Sequence, residues 1–230
     1  KRRDAIDVVI PRGGDELIDF VVRNSLIPTI KNDRGMCHVY VDESADEEMA
    51  ISVVANAKTQ RPGVCNAMET LLVHRSVAET LLPQLHAAMA PKNLRWFVCP
   101  KARRILAGRT EVESAYDEHW DTEHLDLKLN CRVVDTFEDA LAHIAMHGSR
   151  HSEAIITSSA ERARAFHTAV DAAVTYRNVS TRFTDGFVFG LESEIGISTQ
   201  KLHVRGPVGT RDLTSLRWIV EGTGQIRQTT

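Results

Sequence analysis

The chain has 230 residues, 43% of them hydrophobic, and 28 Lys and Arg against 31 Asp and Glu give a formal net charge of −3. A chain of this length buries about two-thirds or more of the surface its unfolded form exposes, so a folded core is expected. The absence of a long single-sign charge run argues against nucleic acid or an anionic membrane as partner, and no apolar stretch approaches the roughly 18 to 20 residues needed to span a bilayer.

Lys1 to Asp4 lead into a strand pattern rather than a signal peptide, so a soluble, cytoplasmic protein is expected, and the missing initiator Met suggests a segment of a longer polypeptide. Asp7-Val8-Val9-Ile10 reads as a strand that meets Pro11-Arg12-Gly13-Gly14 and a helix beginning near Asp15. The same phrase then recurs: a short β-branched run, a Ser or Thr cap with an acid three residues on, and an amphipathic helix. His38 to Val41 leads to Ser44-Ala45-Asp46-Glu47 and a helix with Met49, Ala50, Val53, Val54 and Ala57 on one face. Thr70 to Val73 leads to Ser76-Val77-Ala78-Glu79. Cys131 to Val134 leads to Thr136 and Asp139, and to a helix with Phe137, Ala140, Leu141, Ile144 and Ala145 on one stripe before Gly148. Ala154 to Thr157 leads to Ser158-Ser159-Ala160-Glu161. This alternation predicts an α/β protein with a largely parallel sheet flanked by helices. Beyond residue 175 the chain becomes a glycine-punctuated loop with a short helical pattern near Leu213, and long ordered loops are usually functional. The tail from Arg217 to Arg227 could form a strand that pairs with another subunit.

Cys37, Cys65, Cys99 and Cys131 form no CxxC pair, which suits reduced thiols better than disulfides or zinc. Cys65 sits in the turn Arg61-Pro62-Gly63-Val64-Cys65-Asn66, where partial exposure and free backbone N–H groups could lower its pKa and make a nucleophile; a buried structural cysteine is the alternative. His143, His147 and His151 recur every four residues, but Gly148 interrupts the helix that would align them, and no metal site is expected. The Arg12-Gly13-Gly14 turn is either a plain β–α turn or a place where backbone amides meet a phosphate.

The run from Asn56 to Thr70, NAKTQRPGVCNAMET, closely resembles the nucleophile segment of γ-glutamyl phosphate reductases, a branch of the aldehyde dehydrogenase superfamily. Val134 to Ile155, with HGSRHSEAI from His147, is similar to the same family, as are Ser180-Thr181-Arg182-Phe183-Thr184-Asp185-Gly186, Ser198 to His203 and Arg205-Gly206-Pro207. These segments cover nearly the whole chain in the family's order.

The resemblance implies an aldehyde dehydrogenase-like fold, with residues 1–24 closing a Rossmann-like NADP-binding domain, 25–205 forming the catalytic domain and 206–230 an assembly segment. It implies that Cys65 attacks the acyl phosphate of γ-glutamyl phosphate, that NADPH reduces the resulting thioester, and that glutamate 5-semialdehyde is released on the route to proline. Thiolates suit such a role, being good nucleophiles and competent leaving groups. Pro62 and Asn66 shape the nucleophile loop, the backbone N–H of Cys65 is one oxyanion donor, and a second donor, an Asn, lies upstream of Lys1 in family members. Arg12, Gly13 and Gly14 would approach the cofactor pyrophosphate and Glu123 its nicotinamide ribose, although Glu123 also reads as a solvated carboxylate. Where hydrolytic relatives carry a water-activating glutamate, this chain has Lys31, which favours reduction over hydrolysis.

For the substrate, Ser180 and Arg182 are candidates for the α-carboxylate, Asp185 for the α-ammonium, and Lys201 or Arg205 for phosphate; each also reads as an ordinary loop residue. Glutamate 5-kinase would be the pathway partner, fused or separate, and a homo-oligomer is expected. The alternatives are an aldehyde dehydrogenase of other specificity or, for this segment alone, a non-catalytic folding and oligomerisation module.

Overall fold

A computed structural model describes residues 2–31 and 34–228. Helix α1 (Asp15–Asn24) is followed by β1 (Cys37–Val41), α2 (Glu47–Thr59), β2 (Met68–His74) and α3 (Arg75–Met89). Next come β3 (Arg95–Val98), α4 (Pro100–Ile105), β4 (Val112–Ser114), α5 (Asp117–Trp120) and β5 (Lys128–Val134). After α6 (Phe137–His147), β6 (Ser152–Ile156), α7 (Ala160–Ala169) and β7 (Val174–Arg177), the short strands β8 (Gly196–Ser198) and β9 (Gly206–Val208) form an antiparallel pair.

The seven longer-range strands make one sheet in the order β4-β3-β5-β2-β1-β6-β7, parallel throughout. The fold is therefore the α/β class expected. Every residue of β1 and β2 is buried, as a parallel sheet covered on both faces requires. Alternate side chains go to opposite faces. Val39, Val41, Leu71 and Val73 pack with Ala50, Val54 and Leu81 of α2 and α3, whereas Tyr40, Leu72 and Ile155 pack with Ala140, Ile144 and Phe166 of α6 and α7.

Local capping differs from the sequence expectation in three units. Asp46, not Ser44, caps α2 by accepting from Met49 N at 2.8 Å, and Ser44 instead donates to Asp42. His74, not Ser76, caps α3, and Ser159, not Ser158, caps α7. In each case the cap is set by where the strand leaves the sheet, which shifts the helix start by one or two residues. The Thr136–Asp139 box is present as expected, each side chain meeting the other's backbone N–H at 3.1 Å.

The predicted strand at Asp7–Ile10 reduces to a single parallel bridge between Val9 and Thr29, beside a small cluster in which Val8 and Ile10 pack on Ile30, Val204 and Val208. The tail at 217–227 forms no strand among the described residues; Leu216 is 92% and Trp218 88% exposed. A strand needs a neighbour to pair with, and this segment has none among the described residues. No helix of the described residues is long and apolar enough to cross a membrane.

Candidate active site around Cys65

In a parallel sheet with helical crossovers, helices start from the carboxyl ends of the strands and return to the amino ends. Here the polar loops that matter return to the amino edge: Gly35 and Cys37 at β1, Cys65 before β2, Glu123 before β5, and Ser149 before β6. Cys65 therefore follows the C-terminal end of α2, where the helix dipole is negative.

Cys65 is the one cysteine of the four that is not fully buried. Its carbonyl accepts from the buried Cys37 thiol at 3.2 Å. Gly35 lies so close to that carbonyl that any Cβ there would overlap it, and Glu123 Oε1 accepts from Gly35 N at 2.8 Å. Asn66 fixes the other side: its Nδ2 donates to Thr184 O at 2.7 Å and its carbonyl accepts from Thr181 Oγ1 at 2.7 Å. The glycine-rich segment thus closes over the Cys65 turn.

The turn is framed from below by a buried ion pair. Lys58, in the last turn of α2, donates to Glu69 Oε2 at 2.9 Å, and both side chains are withdrawn from solvent. Burial pushes Lys58 down and Glu69 up, while their mutual attraction opposes both shifts. Glu69 Oε1 accepts from Leu125 N at 3.2 Å, tying the Cys65 turn to the loop that carries Glu123.

The electrostatics overturn one expectation. The Cys65 thiol is not lowered but pushed up to about 11, first by burial and then by the charges of Glu123 and Glu194, with Arg182 opposing. A backbone N–H of the turn lowers the thiol, but burial and the two carboxylates outweigh it.

Several predicted residues surround Cys65. Pro62 is half-buried in its turn, Ser180 caps the short 3-10 turn at Thr181–Phe183 by accepting from Arg182 N at 3.3 Å, and Arg182 Nε donates to Gln60 Oε1 at 2.9 Å. Asp185 Oδ1 accepts from Phe187 N at 2.9 Å and from Val188 N at 3.2 Å. Lys201 and Arg205 instead meet Asp171 beyond α7, each at 2.8 Å. Arg12, Gly13 and Gly14 form the turn that opens α1, which has no side-chain cap, and space is open beside the Gly14 Cα. His147 Nδ1 meets Asp121 at 2.8 Å while His151 Nδ1 meets Ser152 Oγ at 2.8 Å, so the histidine series divides between partners on either side of Gly148.

Sequence reasoning missed Gly35, Lys58, Glu69 and Glu194. For Lys58 and Glu69 a signal existed: opposite charges on either side of the cysteine turn, each set among core positions of α2 and β2.

A γ-glutamyl phosphate reductase from Moorella thermoacetica is 54% identical over 228 residues, covering 99% of this chain and 54% of the relative. The crystal structure of γ-glutamyl phosphate reductase from Thermotoga maritima superposes with a TM-score of 0.93 at 44% identity, again covering 99% of this chain and 54% of that one. The chain belongs to the γ-glutamyl phosphate reductase family. It spans about half the length of the curated relatives it matches. An engineered glycolyl-CoA reductase with bound NADP+ shares 16% identity at a TM-score of 0.66, which shows the common fold alone. No protein-family model matches the chain.

Proposed function

We propose that the complete protein reduces γ-glutamyl phosphate to glutamate 5-semialdehyde, with NADPH as reductant and Cys65 as the covalent nucleophile. The observation that carries this reading is the convergence at Cys65: the half-exposed cysteine of a family-specific turn, faced by a guanidinium and two carboxylates. As a thiolate, Cys65 attacks the acyl carbon and expels phosphate, forming a thioester; after reduction, cleavage of the carbon–sulfur bond releases the aldehyde and regenerates the thiolate. The backbone N–H of Cys65 donates to the developing oxyanion. Arg182 binds the α-carboxylate.

The residues present fit a nicotinamide cofactor. The uncapped first turn of α1 and the open space at Gly14 suit a diphosphate beside Arg12, Gly13 and Gly14, and Glu123, next to Cys65, suits a ribose hydroxyl. NADPH, when bound, supplies the hydride. Leu17 and Phe20 of α1 are 50% and 64% exposed, apolar surface that the remainder of a cofactor domain would cover. Residues 1–24 then close that domain, 25–205 form the catalytic one, and the exposed tail with Leu216, Trp218 and Val220 pairs with a second subunit. The enzyme is cytoplasmic and acts in proline biosynthesis, receiving its acyl phosphate from glutamate 5-kinase.

The test is phosphate- and NADP+-dependent oxidation of glutamate 5-semialdehyde by the complete protein. Activity that Cys65→Ala abolishes, with cofactor affinity kept, is the expected result; activity without a phosphate requirement would sink the assignment.

A further inference from the structure

Asp185 spends Oδ1 on two amides of its own loop. Glu194 is differently placed. It is half-buried, and its Oε2 accepts from Gly186 N at 2.7 Å. Gly186 belongs to the segment that closes over the nucleophile turn, two residues beyond Thr184, whose carbonyl Asn66 grips. That bond uses Oε2 and leaves Glu194 Oε1 outside the hydrogen bonds formed among the described residues. Arg182, at the start of the same segment, is held by Gln60. One arch beside Cys65 thus carries both a cation and a carboxylate with an open oxygen.

We propose that Glu194 accepts the α-ammonium of the substrate through Oε1, so that Arg182 and Glu194 together read the amino-acid end of γ-glutamyl phosphate. This rests on the function proposed above and adds its specificity determinant. The chemistry is complementary: a zwitterionic end presented beside the nucleophile needs one group of each sign, and a charged acceptor left unpaired rejects an analogue lacking the ammonium. A second consequence follows from the position. Glu194 is one of the charges holding the Cys65 thiol up. An ammonium seated on Glu194 offsets that charge, so a correct substrate helps to ionise its own nucleophile.

The experiment compares the complete enzyme with its Glu194→Gln variant on glutamate 5-semialdehyde and on 5-oxopentanoate, which lacks the amino group. Glutamine preserves the size of the side chain and the amide oxygen that can accept from Gly186 N. Wild type should prefer the amino substrate in kcat/KM by about 10-fold to 100-fold. The variant should lose that preference chiefly through KM for glutamate 5-semialdehyde, while 5-oxopentanoate is handled unchanged or better. Equal losses on both substrates would reduce Glu194 to a loop support and overturn the inference, as would an unchanged preference. To separate misfolding from lost recognition, Cys65→Ala enzymes with and without Glu194→Gln are titrated with L-glutamate and glutarate: selective weakening of L-glutamate supports the role, and parallel weakening refutes it. If wild type oxidises neither aldehyde, the proposed function itself fails and this inference with it.

Discussion

Replacing Lys58 with Met leaves the Glu69 carboxylate buried without its cation, held by the backbone amides of His124 and Leu125, that of Leu125 at 3.2 Å. Removing one partner of a buried pair costs about 3 to 5 kcal/mol, because the remaining charge has neither water nor a counter-ion. At about 2 to 4 °C of Tm per kcal/mol for a domain of this size, Lys58→Met should lower Tm by roughly 6 to 20 °C. The double variant Lys58→Met/Glu69→Leu replaces both charges by apolar groups and should recover most of the loss. The loss should also depend on pH. Burial already raises the Glu69 carboxyl, and without Lys58 it rises further above its unfolded value. A raised folded pKa means that the stability is present at low pH and lost as pH climbs through the folded value, so the single variant should be closest to wild type near pH 5 and worst near pH 8. Denaturation of the complete protein at both pH values, followed by circular dichroism, measures this. A loss under about 1 kcal/mol in the single variant, or a double variant no better than the single, would refute the view that the pair frames the Cys65 turn.

The Cys65 thiol, pushed up to about 11, should react with iodoacetamide at a rate that climbs with pH well beyond 8. Glu123→Gln should bring that profile down and Arg182→Met should carry it up; a wild-type plateau near neutrality would contradict the electrostatics. Gly35→Ala forces the new Cβ into the Cys65 carbonyl, and a displacement of this order should cost at least about 100-fold in kcat/KM with cofactor affinity retained. Thr136→Ala removes the cap of α6, worth about 1 kcal/mol in a stability measurement, without altering the kinetics.

Periodicity of apolar residues determined the class of fold, because a buried parallel strand and an amphipathic helix each impose a pattern on consecutive positions. The strands at His38, Thr70, Cys131 and Ala154 were legible for that reason, whereas β3 at Arg95–Val98 and β4 at Val112–Ser114 are too short to register. The Cys65 turn stood out only through the resemblance of the contiguous run from Asn56 to Thr70 to the family's segment, since the lone cysteine reads equally as a buried structural one. The ionisation of Cys65 was not legible. It depends on which loops return to the amino edge: the strand order brings Glu123, and the glycine-rich segment docked on Asn66 brings Glu194, distant in sequence, to the same sulfur. The same holds for Gly35, whose need to be glycine comes from the backbone of Cys65 pressed against it. Local sequence sets which segments can be strands, helices and turns; the sign and reach of the charges around the thiol are properties of their packing, and only the tertiary structure decided them.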